Sequence, residues 1–586
     1  LRKQLVDLRK VMAEHHIDAY LIPTTDFHGS EYVNDYFKCR KFISGFTGSA
    51  GTLLVTTNDA FLWTDGRYFL QAASQLAGTG IQLMKMNQPD VPTILDYLNQ
   101  HLSSGETLGF DGRVINGSFF RQLEKTLLPK GINLSVTEDL VDQIWTDRPT
   151  ITPSTIYPLP LEVTGEDSAS KLARLQQQMR ASKAHYHLIT KMEEIAWLFN
   201  LRGDDVENTP VFFSYALVTQ DCASLYVMDL SLQNRWLFPN VEIKPYHDIF
   251  DDLRDLNPSA SIWLDEDLVN AALIDALPAS MSIINKPSPI LLMKAIKHPM
   301  EISSTRNAHI KDGVAMVNFI YWLKHNIGVL PLTEISAADY LESCRRKQRG
   351  FNDLSFETIS GYGPNGAIIH YFATAESNLP LEPSGFLLVD SGGQYNDGTT
   401  DITRTIALGP LTEGMKRHYT AVLRCHIALA STVFPKGTTG LTLDQLTRKP
   451  LQHLGLDYQH GTGHGVGHML SVHEGPNTIS PSGGNCTIVP GMITSNEPGV
   501  YLEGKYGIRL ENELLCVEAG EQHGAGDFAF ESITLCPFDA QAILLEDLTA
   551  KEKAYLNTYH QQVYAVLSPY LTEEVNTWLM AETQPI

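Results

Sequence analysis

Five side chains toward the C-terminal end of the sequence, Asp390, Asp401, His464, Glu497 and Glu511, are of the types that hold hard divalent cations, which prefer carboxylate oxygens with an occasional imidazole. In FLLVDSGGQYNDGTTDITR an apolar strand delivers Asp390, and a glycine-rich hairpin returns eleven residues later with Asp401. Two adjacent strands can aim both carboxylates at one point. Burying the pair together without a cation would be costly, although a turn-and-cap role remains an alternative for the two taken alone. Asp397 between them sits in Asn396-Asp397-Gly398, the composition of a tight turn, and reads as structural.

The next cluster is HGTGHGVGH, with His460, His464 and His468, followed by His473 in VHEGP. Four of the twenty histidines thus fall within fourteen residues. Alternating glycines let the backbone approach a ligand while imidazoles project from a rigid turn. The glycine spacing is not G-x-G-x-x-G and no Gly-Lys-Ser/Thr follows, which excludes dinucleotide and P-loop readings. Two glutamates complete the set, Glu497 in SNEPGVY and Glu511 in GIRLEN. Each alone reads most simply as a solvated strand residue. Strand alternation places Arg509 and Glu511 on one face.

These residues need a scaffold. Residues 1–147 alternate helical and strand patterns: a helix near 1–15, then strands at Ala19–Ile22, Thr52–Thr56 and Ala60–Trp63. A proline-rich stretch from Thr146 to Pro160 reads as a linker. Residues 168–290 repeat the order, with a helix at Ala169–Ser182 and strands at His187–Thr190, Tyr215–Val218 and Leu225–Asp229, which points to a weak internal duplication of one α/β domain. Helices are expected at Ile290–Ile296 and Met300–Lys324, then the segment Ala337–Arg349, then a long region of strands and glycine. Thr549–Leu567 has helical spacing and reads as a helical cap or a subunit contact.

At 586 residues the chain exceeds one core, and about three domains are expected at roughly 150 to 200 residues each. A hydrophobic share of 43% and a charged share of 19% are those of a folded protein. The net charge of −23 carries no basic tract, which argues against nucleic acid as a partner. Apolar runs fall short of the roughly 20 residues of a membrane span. Seven scattered cysteines without a Cys-x-x-Cys pair suit a reducing cytosol, so a cytoplasmic protein is expected. The N-terminus lacks the core of a signal peptide, and its first residue, Leu rather than Met, leads us to expect residues upstream.

The ordered set Asp, Asp, His, Glu, Glu within DSGGQYNDGTTDITRT, HGTGHGVGH, VHEGP, NEPGVY and GIRLEN resembles the pita-bread metallopeptidases, and within them the large three-domain aminopeptidase P group. The resemblance extends through SGFTGSAGTLLVT, WTDGRYFLQA, EIAWLFNLRG, PVFFSYALV and the terminal WLMAETQPI, covering nearly the whole chain. It implies an α/β (α+β) fold class: two related creatinase-like α/β domains at 1–150 and 160–293, then a pita-bread catalytic domain with a helical C-terminal extension at 294–586.

By that resemblance Asp390 would chelate one metal ion, His464 and Glu497 the other, and Asp401 and Glu511 would bridge both. The ions would be manganese, with zinc or cobalt also accepted by such a site. The implied reaction is hydrolysis of the Xaa-Pro bond at the N-terminus of a peptide by a hydroxide bridging the two metals. Glu497 would act as base, His370 would polarise or position the carbonyl, His460 and His473 would lie near the leaving proline, Arg509 would orient the carboxylates and Tyr501 would line the pocket. His468, Arg67 and Arg202 read as structural. The implied partners are peptides with proline second and a second copy of the chain, through the C-terminal domain. The rival readings are a prolidase acting on dipeptides, a methionine aminopeptidase of about half this length, and a non-catalytic pita-bread module that binds protein.

Overall fold

The computed structural model describes residues 2–586 except 137–138, 235–239, 521–523 and 525. The chain forms two compact units, one of Leu1–Leu159 with Glu166–Ile290 and one of Pro160–Gly165 with Leu291–Ile586.

The first unit contains two six-stranded sheets of the same order. One runs Gln82–Lys85, Ala60–Thr64, Thr52–Thr56, Ala19–Pro23, Thr107–Gly109, Asn133–Ser135. The other runs Val241–Pro245, Ala223–Val227, Ser214–Thr219, Tyr186–Ile189, Ser261–Leu264, Ser282–Asn285. In each, the second and third of the five strand pairs are antiparallel and the other three parallel, so the echo expected from sequence is present strand for strand. Alternating and continuous apolar patterns explain the elements: the Lys3–Glu14 helix buries Leu5, Leu8 and Met12 on one face, and every residue of Ala60–Thr64 is buried. The expected helix at 169–182 is Ser168–Ala181, and the strand expected to reach Asp229 ends at Val227. Arg67 forms a two-point ion pair with Asp65, and the fully buried Arg202 donates to the carbonyls of Ala196 and Leu201. In the Thr146–Pro160 stretch only Tyr157–Pro158 is a strand, paired with Leu201–Arg202.

The second unit begins with the helices Pro299–Asn326 and Glu334–Arg346. Strands Ile359–Tyr362, Phe386–Ser391 and Ile402–Ala407 form one sheet. A larger sheet runs Val433–Pro435, Asp527–Ser532, Asn512–Glu518, Ile493–Asn496, Gly463–Gly465, Glu474–Ile479, and Gly499–Leu502 pairs with Tyr506–Arg509 in a hairpin. The region rich in strands and glycine expected beyond residue 349 also contains two helices that were not expected, Glu413–Ala430 and Gly440–Gln452. Their signals are weak: the first mixes Thr, Val, Cys and Ile into its buried face, and the second opens on Gly and contains Pro450. The C-terminal helix Ala550–Leu567, capped by Thr549, turns Leu556, Tyr559, Val563 and Leu567 into the unit's main apolar core, each buried leucine contributing about 1.5–3 kcal/mol. That face is thus occupied within its own chain, and a further helix, Glu573–Glu582, follows it. Among the described residues no helix is long and apolar enough to cross a membrane.

Candidate metal centre

Phe386–Ser391 is buried along its whole length and carries Asp390 opposite Thr403 of Ile402–Ala407. Between these strands a small hairpin pairs Gln394 with Thr399 and Tyr395 with Gly398, so the chain returns with Asp401 immediately before the second strand. Asp397 stands at the tip of that hairpin, 2.7 Å from the Lys311 ammonium. Glu511 occupies the junction between Tyr506–Arg509 and Asn512–Glu518, where the chain leaves the hairpin for the large sheet. Glu497 follows Ile493–Asn496, its N–H donating to Thr462 O at 2.8 Å. His464 is the middle residue of Gly463–Gly465. A side chain on Gly463 would run into the carbonyl of Ser495, so only glycine allows this strand to lie so close to its neighbour.

The five expected ligands converge. Asp390, Asp401 and Glu511 form one trio, His464, Glu497 and Glu511 a second, and Asp401, His464 and His473 a third, the candidate ligand atoms in each lying within 4.8 Å of one another. His473 thus joins Asp401 and His464, its ring edge-on to that of His464 at 4.4 Å. Glu511 is fully buried rather than solvated, and Glu497 is mostly covered.

The electrostatics are those of a site built for cations. Burial raises the Asp390 carboxyl to about 6, against the pull of Arg509 and with Asp401 and Glu497 adding to the rise. Burial, with Asp401, Glu497 and Asp390, holds Glu511 well above the carboxylate range. Glu497 goes the other way: burial opposes its charge, but the imidazole of His464 takes it down to about 2. His464 Nε2 lies 3.3 Å from Glu497 Oε1 and 3.5 Å from Asp401 Oδ2, and Nδ1 lies 2.9 Å from Gly465 O. Nδ1–H donating to that carbonyl turns Nε2 toward the two carboxylates; burial opposes the ring's charge, but Asp401 and Glu497 hold it well above its ordinary value, and a cation bound there would take the place of the Nε2 proton. Asp390 Oδ1 and Glu511 Oε1 are buried without a hydrogen-bond partner. Two orphaned carboxylate oxygens in one cluster with an oriented imidazole fit divalent cations of the carboxylate-preferring kind.

Arg509 ties the cluster to its surroundings. It donates from Nη2 to Asp390 Oδ2 at 2.7 Å, from Nη1 to the Tyr501 hydroxyl at 2.9 Å and from Nε to Thr403 Oγ1 at 3.3 Å. The Tyr501 oxygen lies 2.7 Å from His460 Nε2, while His460 Nδ1 lies 2.7 Å from Gly461 O. With Nδ1 donating, Nε2 accepts the tyrosine proton, and burial lowers the imidazole to about 4, so His460 is neutral. Arg509 Nη2 also approaches Ile369 O at 3.5 Å, which brings the loop carrying His370 to the same guanidinium. His370, His460, Tyr501 and Arg509 fall outside the three trios. His468 is buried with Nδ1 3.0 Å from Thr305 Oγ1.

Sequence reasoning missed the residues that hold the ligands. Thr403 donates to Glu511 Oε2 at 2.7 Å, and Ser495 donates to Glu497 Oε1 at 3.1 Å while accepting the His464 N–H at 3.0 Å. Strand alternation was the available signal, since Thr403 lies two residues from Asp401 and Ser495 two from Glu497. Glu474, next to His473, is buried between the ammonium groups of Lys294 and Lys297. Glu513, two residues past Glu511, is buried 3.3 Å from His309 Nε2. No local pattern marks either group.

Residues 303–518 match metallopeptidase family M24, and 527–586 match the C-terminal region of that peptidase. Residues 4–144 and 147–301 each match the creatinase/prolidase N-terminal domain. The chain is 40% identical over its full length to a protein of Laccaria bicolor named "Probable Xaa-Pro aminopeptidase P", covering 93% of it. It is 41% identical to the protein of the same name from Fusarium vanettenii, covering 98% of it. Among solved structures, the X-prolyl aminopeptidase of Caenorhabditis elegans, described as a cytosolic enzyme with a di-nuclear active site, superposes with a TM-score of 0.94 at 34% identity over the whole of both chains. The prolidase of Pyrococcus furiosus shares the fold over 61% of this chain and 98% of its own, at 22% identity and a TM-score of 0.50.

Proposed function

The chain belongs to metallopeptidase family M24, and from that premise we propose that it removes the N-terminal residue from peptides whose second residue is proline. The observation that carries this reading is the convergence of Asp390, Asp401, His464, Glu497 and Glu511 with two orphaned carboxylate oxygens among them. Full-length similarity to proteins named for Xaa-Pro cleavage supports the substrate class.

In this reading Asp390 holds one divalent cation, His464 and Glu497 a second, and Asp401 and Glu511 are shared, with manganese the preferred ion and zinc or cobalt accepted. Two bound cations there would lower the pKa of a water molecule between them and draw charge from the scissile carbonyl oxygen. The side chains do the rest. Glu497, held as a carboxylate with its Oε1 accepting from Ser495, takes a proton from the attacking water and passes it to the proline nitrogen as the C–N bond breaks. The products are the first amino acid and a peptide that begins with proline. His370 and His473 position the substrate carbonyl and the proline side, neutral His460 serves as an acceptor fixed by Tyr501, and Arg509 orients Asp390. Proline's tertiary amide has no N–H and a fixed φ, which a general peptidase that grips that N–H cannot use.

A three-domain division at 1–150, 160–293 and 294–586, a homodimer through the C-terminal domain and a cytoplasmic location belong to the same reading. All seven cysteines are free, and the worm enzyme is described as cytosolic.

The test strips the protein of metal, measures divalent ions retained per chain before and after, and assays an Xaa-Pro-Xaa tripeptide with manganese, zinc or cobalt restored. Two ions per chain and metal-dependent release of the first residue are expected. Turnover of Xaa-Pro dipeptides alone would assign the chain as a prolidase, and fewer than one tightly held ion would assign it as a binding module.

A further inference from the structure

Along Ile402–Ala407 the side chains alternate. Thr403 and Thr405 face the metal centre, where Thr405 accepts the Arg509 N–H at 3.1 Å and donates to the Arg509 carbonyl at 3.0 Å. Arg404 points to the opposite face and is 1% exposed. All five of its N–H groups are used: Nε–H donates to Pro537 O at 3.1 Å, Nη1 to Thr403 O at 3.0 Å and Glu511 O at 2.7 Å, and Nη2 to Asn512 Oδ1 at 2.8 Å and Cys536 O at 2.7 Å. The Phe538 ring covers the guanidinium at 4.2 Å. Every acceptor is neutral, and among the described residues no carboxylate pairs with it.

A buried guanidinium without a carboxylate is expensive, and an apolar side chain could fill the same volume at lower cost. What an apolar residue could not supply is a rigid planar fork that fixes several carbonyls at once. Two of the acceptors belong to Glu511 and Asn512, at the junction where the chain leaves one strand for another. There the Glu511 N–H is taken by Thr403 O at 3.0 Å, its Oε2 by the Thr403 hydroxyl and its carbonyl by Arg404. With these fixed, Oε1 is the one carboxylate oxygen left without a partner.

The other side of the fork leads to the C-terminal segment. Cys536 and Pro537 supply carbonyls, and the Tyr559 hydroxyl, on the buried face of Ala550–Leu567, lies 3.2 Å from Arg404 Nη2 and 2.9 Å from both Thr534 O and Cys536 O. Next to Tyr559, His560 Nε2 accepts the Phe538 N–H at 3.1 Å. Burial and then the charge of Arg404 lower the imidazoles of His426 to about 3 and His560 to about 4, as a fixed cation at this point would.

We propose that Arg404 is a positioning residue for Glu511: the C-terminal segment, through the Cys536 and Pro537 carbonyls and the Tyr559 hydroxyl, fixes the fork that sets the backbone at Glu511 and thereby the affinity with which its carboxylate takes up a divalent cation. This rests on the reading of Glu511 as a shared metal ligand.

The test is calorimetric titration of manganese into the metal-stripped full chain at 25 °C, with far-UV circular dichroism and a thermal melt on each variant. Wild type is expected to take up two ions. Arg404→Lys keeps the charge but loses the fork, and it weakens at least one of the two affinities about tenfold or more, the range seen when partners of metal ligands are removed. Tyr559→Phe shifts the same affinity in the same direction by about threefold, in proportion to the smaller change to such a partner. Phe434→Ala, a cavity in a cluster of the same unit that contains neither a residue of Ile402–Ala407 nor a partner of Arg404, lowers the melting temperature and leaves both affinities within twofold. Folded Arg404→Lys with both affinities within twofold of wild type overturns the inference, as does an equal loss in Phe434→Ala. Should Arg404→Lys fail to fold, Tyr559→Phe decides on the same criterion. A wild-type chain that binds fewer than two ions overturns the proposed function instead.

Discussion

Arg509 Nη2 and Asp390 Oδ2 are joined at 2.7 Å, and the same planar group holds the Tyr501 hydroxyl that faces His460. One guanidinium thus fixes a candidate metal ligand and the tautomer of a nearby imidazole. Arg509→Lys retains the charge but cannot span both partners. We expect turnover of Xaa-Pro-Xaa peptides to fall by about tenfold to a hundredfold with both metal ions retained. Steady-state kinetics with metal analysis check this, and turnover within twofold of wild type would show that the bridge is dispensable.

Glu497→Gln preserves the volume of the side chain and its contact with Ser495 but cannot accept a proton. A loss in turnover of about 10²- to 10⁴-fold is expected in a protein with an unchanged circular dichroism spectrum. A variant with more than a tenth of wild-type turnover would move the proton acceptor elsewhere.

Glu474 is buried against the ammonium groups of Lys294 and Lys297. Burial opposes its charge, yet the two lysines hold it below the usual carboxylate range. Glu474→Gln leaves two buried cations sharing a neutral amide, which should destabilise the unit by about 3–5 kcal/mol. Replacing all three groups by apolar ones should cost far less. A thermal or urea melt of both variants distinguishes the outcomes, and equal destabilisation would refute the account.

His187, His426 and His560 are buried, and burial lowers their imidazoles to about 4, 3 and 4. The folded values are depressed below the ordinary value near 6.5, so above that pH neither state binds the proton and these groups add no pH dependence. Between about 6.5 and 4 the unfolded chain takes up protons that the folded chain refuses. Stability therefore falls as pH falls, by up to about 1.4 kcal/mol per pH unit for each histidine. Asp390 and Glu511, raised in the folded chain, work in the opposite sense, so the histidines are read by difference: from pH 7 to 4.5 the urea midpoint of wild type should fall relative to that of His187→Asn. Identical profiles for the two proteins between pH 6.5 and 5 would contradict the burial of His187 as a neutral species.

The candidate ligands were legible because each lies in a short phrase whose local chemistry is unusual: a strand ending in Asp390, a glycine-spaced histidine run, a glutamate before Pro498. The two sheets of the first unit were legible from their repeated order of elements. What escaped depends on partners distant in sequence. Arg404 sits in full view in DITRT, but its purpose is set by carbonyls at Cys536 and Pro537. Nothing in the local sequence of Lys294 and Lys297 shows that Glu474, far along the chain, closes over both. The helices Glu413–Ala430 and Gly440–Gln452 are held by tertiary packing that overrides β-branched residues in one and a proline in the other.

Bringing Asp390, Asp401, Glu497 and Glu511 to one point stores a repulsion that cations relieve. By mass action, each tenfold rise in free cation above its dissociation constant would add about 1.4 kcal/mol to the folded state for each ion bound. The melting temperature of this chain would then report the cation pool around it, and a variant with a weakened core would fail first where that pool runs short.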